Sequence, residues 1–270
     1  MALAQDKRLP SSLGPALSSV WYRLFLAEVQ AGDFTAANKS LEAAERASKE
    51  FIAQLAMDDP RRLIFAATGL TARSRMQLIE HKPLAAMNGA STEISRLDRI
   101  KIPAKDVRLA TVMNNALGGE LRIASMAAIQ LGRYAQAEAW ARRRLALPPD
   151  PDPDEAPQIE PSSARAVLAQ AVALQGRGAE ALAILEPALR YYRDEQRAGA
   201  NDTSMRRDFA SALYASALAY SADPDGRAKR DAALAEATRL IAGATAEARQ
   251  LASMRDLVIW IAAARASKPD

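Results

Sequence analysis

The chain carries helical periodicity along almost all of its 270 residues, and this feature limits it to an all-α fold. Apolar residues recur at spacings of three and four, and clusters of Gly, Pro and Asp interrupt the pattern at regular places. Helices joined by such short connections pack as antiparallel hairpins. The pattern predicts about eleven helices, at 14–31, 34–57, 61–80, 84–97, 104–131, 133–147, 162–175, 179–196, 201–221, 227–241 and 245–266.

Composition indicates how these helices pack. Alanine accounts for 61 residues, and only 5% of the chain is aromatic. Alanine is the strongest helix former, whereas strands favour β-branched and aromatic side chains. We therefore expect helices that approach each other closely through small residues.

One segment interrupts the helical pattern. Residues 148–161 hold six of the chain's 14 prolines, five acidic residues and no basic residue. Proline opposes helix and like charges repel, so the segment is predicted to be an extended, exposed loop. We expect hairpins at 1–147 and again at 162–270, where a capping helix ends the array. The sequence leaves open whether the loop separates two domains or decorates one repeat.

Charge argues against a nucleic-acid partner. The formal net charge is +4, from 36 basic and 32 acidic residues that are interspersed along the chain. A phosphate-binding surface would instead show a clustered basic stripe. We expect a protein or peptide partner rather than nucleic acid.

Apolar runs are too short for a transmembrane segment, which needs about 18 consecutive apolar residues. A cytoplasmic location is the default expectation. A periplasmic location is the alternative, because Ala2-Leu3-Ala4 before Gln5 has the small-x-small form of a cleaved export signal.

Internal repeats become visible when the chain is aligned on glycines that end a first helix. Gly32, Gly132 and Gly176 are three such glycines. We compared the residues that lie eleven and eight before each glycine and two, five and twelve after it. These are Trp21, Leu24, Phe34, Ala37 and Ala44; then Leu121, Ala124, Tyr134, Ala137 and Arg144; then Arg165, Leu168, Gly178, Ala181 and Ala188.

This pattern resembles the tetratricopeptide repeat, in which Trp-x-x-Leu is followed by Gly-x-aromatic, spaced alanines and a closing proline. The third unit lacks both aromatics, and Arg144 stands where the family has a small residue. Another hairpin turns at His81-Lys82-Pro83, with Ala86 at the small-residue offset. The resemblance covers about three-fifths of the chain.

The resemblance implies antiparallel hairpins stacked as a right-handed superhelix, with the first helix of each hairpin lining a concave groove. It also implies a non-catalytic scaffold or adaptor that holds a peptide or protein segment in that groove. Arginines would pair with acidic ligand groups there, and tyrosines would supply amphipathic contact area. The predicted groove residues are Tyr22, Leu26, Val29, Arg75, Arg122, Met126, Gln130, Ala166, Gln170 and Tyr214.

Residue patterns typical of catalysis or metal binding are missing from the sequence. The chain has no cysteine and one histidine, His81, so neither thiolate nor histidine-pair zinc sites can form. The acidic run that begins at Asp150 fails as a calcium loop, because Glu155 and Pro161 replace the required glycine and glutamate. We expect no enzymatic activity, no cofactor and no metal.

Two other interpretations stay open. One is a sensory or regulatory domain that binds a small ligand or a signalling peptide. The other is a self-assembling structural protein or homodimer that uses the last helix, because Leu257, Val258, Trp260 and Ile261 give that helix a wide apolar face. A structural cap is the simpler reading of the same face.

Overall fold

A computed structural model describes residues 14–57, 59–102, 106–148, 159–199, 202–223 and 225–266. Its described residues form twelve α-helices and no strand, so the predicted all-α class is confirmed. The helices are α1 Gly14–Ala31, α2 Phe34–Ile52, α3 Arg61–Ile79, α4 Pro83–Leu97, α5 Val107–Gln130, α6 Tyr134–Leu145, α7 Ile159–Ala173, α8 Gly178–Arg197, α9 Thr203–Ser221, α10 Arg227–Ala242, α11 Ala246–Gln250 and α12 Ala252–Ala266.

Two helix predictions differ from the structure. The predicted last helix is divided at Leu251, whose backbone is extended (φ −58°, ψ 136°) and ends α11. The predicted second helix ends at Ile52 instead of residue 57, and turns come after it.

The predicted acidic loop is only partly described. Residues 149–158 lie outside the described residues, and the division of the chain at this loop stays a prediction. Residues 159–161, predicted as loop, already belong to α7. Pro161 is compatible with helix there because the first-turn N–H groups have no partner within the helix.

Four helix-to-helix turns share one backbone geometry. Gly32, Gly132 and Gly176 have φ of 83°, 72° and 77°, and His81 occupies the same left-handed region at 58°. After Gly132, the N–H of Arg133 donates to the Ala128 carbonyl at 2.8 Å, and the glycine N–H donates to Ile129. The same pair of bonds closes the other three turns, which is the Schellman arrangement that ends a helix.

The turns also share a pattern of buried small residues on the second helix of each hairpin. The residue five positions after each turn is an alanine with no measurable exposure, at Ala37, Ala86, Ala137 and Ala181. The residue nine positions after each turn residue is alanine or leucine and is at most 1% exposed, at Leu41, Ala90, Ala141 and Leu185. The repeat seen in the sequence is therefore a repeat of packing as well.

The missing aromatic of the third unit has a structural reason. Phe34 and Tyr134 begin the second helix in two units, whereas Gly178 begins it in the third. A Cβ atom on Gly178 would collide with the carbonyl oxygen of Ala219 in α9. Glycine thus permits a close approach between α8 and α9.

The chain divides into two compact units, Met1–Ile123 and Ala124–Asp270. In the first unit, α1 packs along α2 and α3 along α4, and a core cluster includes Phe25 and Leu41. In the second unit, α7 packs along α8 and α9 along α10. The largest core cluster of the second unit includes Tyr192, which stacks on Phe209 with 5.6 Å between ring centroids.

Among the described helices, none is long and apolar enough to span a membrane.

We predict that Gly132→Ala lowers the free energy of unfolding by about 1 kcal/mol, because an L side chain is strained at positive φ. A Cβ at this position meets no atom within 4 Å among those described, so the cost is conformational rather than steric. Urea unfolding followed by circular dichroism measures the difference. The control is Gln136→Ala on the exposed side of α6, and equal stability of the two variants would contradict the role of the turn.

Candidate partner-binding face and buried polar sites

Several of the predicted groove residues occupy the same position in successive hairpins. Leu26, Arg75, Met126 and Gln170 each lie six residues before the left-handed turn, and each is half-buried. Tyr214 lies 44 residues after Gln170, as Gln170 does after Met126, and is half-buried too. First helices therefore place this position at the edge of the core, where a side chain keeps some exposed surface.

In the second unit this position carries large amphipathic side chains beside a row of alanines. Ala127, Ala171 and Ala215, the residues directly after Met126, Gln170 and Tyr214, are at most 1% exposed. The alanines fill the core, so the neighbouring thioether, amide and phenol lie at its boundary. This boundary position carries no charge in the second unit.

Trp260 extends this set, although the sequence had indicated it only as part of the apolar face of the last helix. The indole of Trp260 in α12 stacks on the Tyr214 ring of α9, with 6.2 Å between centroids and 29° between planes. We name Met126, Gln170, Tyr214 and Trp260 the amphipathic row. Trp260 lies 46 residues after Tyr214 rather than 44, so the 44-residue spacing of Met126, Gln170 and Tyr214 does not place it in the set.

The hydroxyl of Tyr214 is held in its neutral form. Burial raises its pKa above the ordinary value of 10.0, and the nearby Tyr134 raises it further. A neutral phenol can both donate and accept a hydrogen bond. Tyr214 can therefore contact either an N–H or a carbonyl group of a bound segment.

The remaining predicted groove residues have different environments. Tyr22 is half-buried and stacks on Phe25, with 5.8 Å between centroids, and Arg122 is half-buried. Val29 has no exposed surface and lies in the core cluster of the first unit. Ala166 is 6% exposed and Gln130 is exposed.

A buried carboxylate lies between α3 and α5 in the first unit. Glu120 has no exposed surface, and its Oε1 accepts a hydrogen bond of 2.5 Å from the Thr71 hydroxyl. Its Oε2 has no hydrogen-bond partner among the residues that the structure describes. A buried oxygen without a partner disfavours the ionised form of the carboxyl group.

Charges around Glu120 act in both directions. The pKa of Glu120 is raised from 4.5 to about 7, mainly by burial. The charge of Glu93 also raises it, while the hydrogen bond from Thr71 and the charge of Arg75 lower it. Arg75 is one of the predicted groove residues, and here it contributes to the electrostatics of a core carboxylate. Glu120 presents no surface to a substrate, so its role in this structure is in packing.

Glu93 is a second buried acid in the same unit. Its side chain is buried, with 4% exposed. Glu93 lies twelve residues after the turn at His81, and the equivalent residues after the turns at Gly32 and Gly176 are Ala44 and Ala188. Burial raises its pKa, while Arg96, at 3.5 Å, lowers it. A charged residue at an offset occupied elsewhere by alanine was the signal available in the sequence.

Arg144 lies twelve residues after the turn at Gly132 and is therefore equivalent to Glu93. The sequence marked it as a departure from the small-residue pattern, and the structure buries it to 6% exposure. Its Nη2 lies 3.5 Å from the hydroxyl of Ser163 in α7. Units thus tolerate a long charged side chain at this offset when neighbouring helices supply polar groups.

An ion-pair network joins the ends of two hairpins in the second unit. Glu138 of α6 accepts hydrogen bonds from Arg142, Arg177 and Gln175, and Arg142 also donates to Glu180 of α8. Burial raises the pKa of Glu138, but the three donors outweigh it and the net pKa is lowered. Arg142, Arg177 and Glu180 are 40–48% exposed, so the network adds little to stability.

The described residues contain no group of three or more His, Cys, Asp or Glu side chains that could hold a metal ion.

Comparisons with known proteins found no match: no family model, no curated protein and no solved structure is significantly similar to this chain.

We predict that Glu120→Gln stabilises the protein at pH 8 but not at pH 4. The pKa of Glu120 is raised from 4.5 to about 7, so the native state retains a proton that the unfolded chain releases. The free energy of unfolding of the wild type therefore falls as the pH rises from 4.5 to about 7, and stays low at higher pH. The glutamine variant lacks this loss, which amounts to on the order of 3 kcal/mol.

Denaturant unfolding at pH 4, 6 and 8 measures the difference between the two proteins. Glu50→Gln, an exposed position in α2 of the same unit, is the matched control. A pH-independent difference between Glu120→Gln and wild type would show that Glu120 ionises normally.

Proposed function

We propose that this protein is a non-catalytic, tetratricopeptide-like binding module. Its first helices hold a peptide or protein segment from a partner, as the resemblance in the sequence implies. Support comes from the four left-handed turns at Gly32, His81, Gly132 and Gly176, each with an unexposed alanine five residues later. Such repetition produces a series of equivalent first helices, each with one side chain at the same boundary of the core.

The observation that carries the proposal is the amphipathic row. Met126, Gln170 and Tyr214 are spaced 44 residues apart and each is followed by a buried alanine, while Trp260 joins them by stacking on Tyr214. A chain this rich in alanine could fill the position with alanine at no loss of helix propensity. Methionine and aromatic side chains are instead enriched at protein interfaces, where they supply large contact area.

The chemistry of the row favours an uncharged or apolar ligand segment in the second unit. The Tyr214 hydroxyl and the Gln170 amide can bond the backbone of an extended segment, and the indole and thioether can contact its apolar side chains. In the first unit, the half-buried Arg75 and Arg122 suit acidic ligand groups.

A photo-crosslinking experiment tests the proposal. p-Benzoylphenylalanine is placed at position 214, and in a second protein at position 193, where Arg193 is exposed on α8. Each purified chain is irradiated in lysate of the native host, and adducts are identified by mass spectrometry. We expect a dominant protein adduct from position 214 that position 193 does not yield.

A charge introduced into the row provides the second test. Gln170→Glu should lower recovery of the crosslinked partner by at least about tenfold, because an uncharged segment would have to desolvate the new carboxylate. Circular dichroism checks that helicity is unchanged. Identical adducts from positions 214 and 193, or recovery unaffected by Gln170→Glu, would contradict the proposed face.

A further inference from the structure

The last helix presents an apolar strip to solvent. Val258 and Ile259 of α12 are 47% and 59% exposed, although both are large aliphatic residues. Ala262 continues the strip one turn later and is exposed as well. The strip borders a groove of about 540 Å³ between α10 and α12, lined by Thr238, Ile241, Val258, Ile261, Ala262 and Arg265 among others.

Trp260 of α12 stacks on Tyr214 of α9. When the two helices are aligned on these two residues, Val258, Ile259 and Ala262 align with Ala212, Leu213 and Ser216. Those three residues of α9 are at most 2% exposed. The same surface is thus buried on α9 and open on α12.

The two helices differ in that α9 is followed in the chain by a helix that packs along it, whereas among the described residues α12 is not. That helix is α10, which comes next in the chain and packs along α9 to complete the hairpin. On α7, which α8 accompanies in the same way, the equivalent residues Leu168, Ala169 and Val172 are at most 1% exposed. α12 has the surface of a first helix, and no second helix covers it among the described residues.

We propose that the Val258–Ile259–Ala262 strip and the adjoining groove dock an amphipathic α-helix of a partner protein, taking the place of a second helix. The second helices of this chain define the contact face of that partner. Each carries an alanine five residues after the turn and alanine or leucine four residues further, as at Ala37 and Leu41. The partner helix therefore presents a small residue at i and alanine or leucine at i+4.

Charge around the strip defines the flanks of the partner helix. Arg255 and Arg265 are exposed towards the two ends of α12, and Arg239 is exposed on α10 one turn before Ala242. Arg265 is held in place, since its Nη2 donates to the Leu234 carbonyl at 3.2 Å. These three basic groups outnumber Asp256, the acidic residue of α12 three positions before Ile259, so the charge around the strip favours a helix with acidic flanks.

A designed peptide serves as the probe. It has the sequence of Phe34–Ile52, which contains the Ala37 and Leu41 pair, with Lys39→Glu and Lys49→Glu to make the flanks acidic. The peptide is acetylated, amidated and fluorescently labelled, and its binding to the full chain is monitored by anisotropy. A matched control peptide carries Ala37→Phe, which replaces the small contact residue with a large one.

We expect saturable binding of the probe, and at least tenfold weaker binding of the Ala37→Phe peptide. Ile259→Lys in the protein should weaken probe binding at least tenfold, because it places a charge in the apolar strip. Val20→Lys, at a 63% exposed valine of α1, should leave binding unchanged. Circular dichroism and thermal unfolding confirm that both variants are folded.

Three results would overturn the proposal. One is the absence of saturable probe binding up to the solubility limit of the peptide. Another is equal binding by wild type and Ile259→Lys. The third is a concentration-dependent dimer in sedimentation that Ile259→Lys dissociates, since a second copy of the chain would then occupy the strip.

Discussion

The left-handed turn that ends a first helix is the constraint on which the rest of this structure depends. Reversing the chain within two residues brings the next helix directly alongside, and only a residue that tolerates positive φ permits it. Gly32, Gly132 and Gly176 meet this requirement, and His81 meets it without being glycine. Once the turn is fixed, the residue five positions later always faces the first helix, and alanine is the side chain that fits between two closely packed helices.

Most of the fold could be predicted because its signals are local. Helix periodicity, glycine turns and spaced alanines act over a few residues, and they located nearly all helices in the described parts of the chain. The break at Leu251 gave no comparable signal, since neither glycine nor proline marks it. Pro187 lies inside α8 without ending it, at an exposed position where the unpaired carbonyl one turn before can meet water.

The candidate sites were less predictable because they depend on contacts between distant residues. Gln170 could be placed by counting six residues back from a turn and Tyr214 by alignment with it, whereas placing Trp260 beside Tyr214 required knowing that α12 packs against α9. Val29, three residues before the turn at Gly32, was also predicted to line the groove and lies in the core. Glu120 gave no signal, because its burial arises from Thr71 on α3, 49 residues earlier, rather than from the pattern of its own helix.

The open strip on α12 also bears on how such a chain can change in length over evolution. In the second unit each helix contacts mainly its neighbours in the chain, as α7 contacts α8 and α9 contacts α10. A second helix joined after α12 would find a surface like the one that α9 offers to α10, and would leave the existing contacts of α12 in place. The strip on α12 is therefore a position at which an added helix would disturb the second unit little.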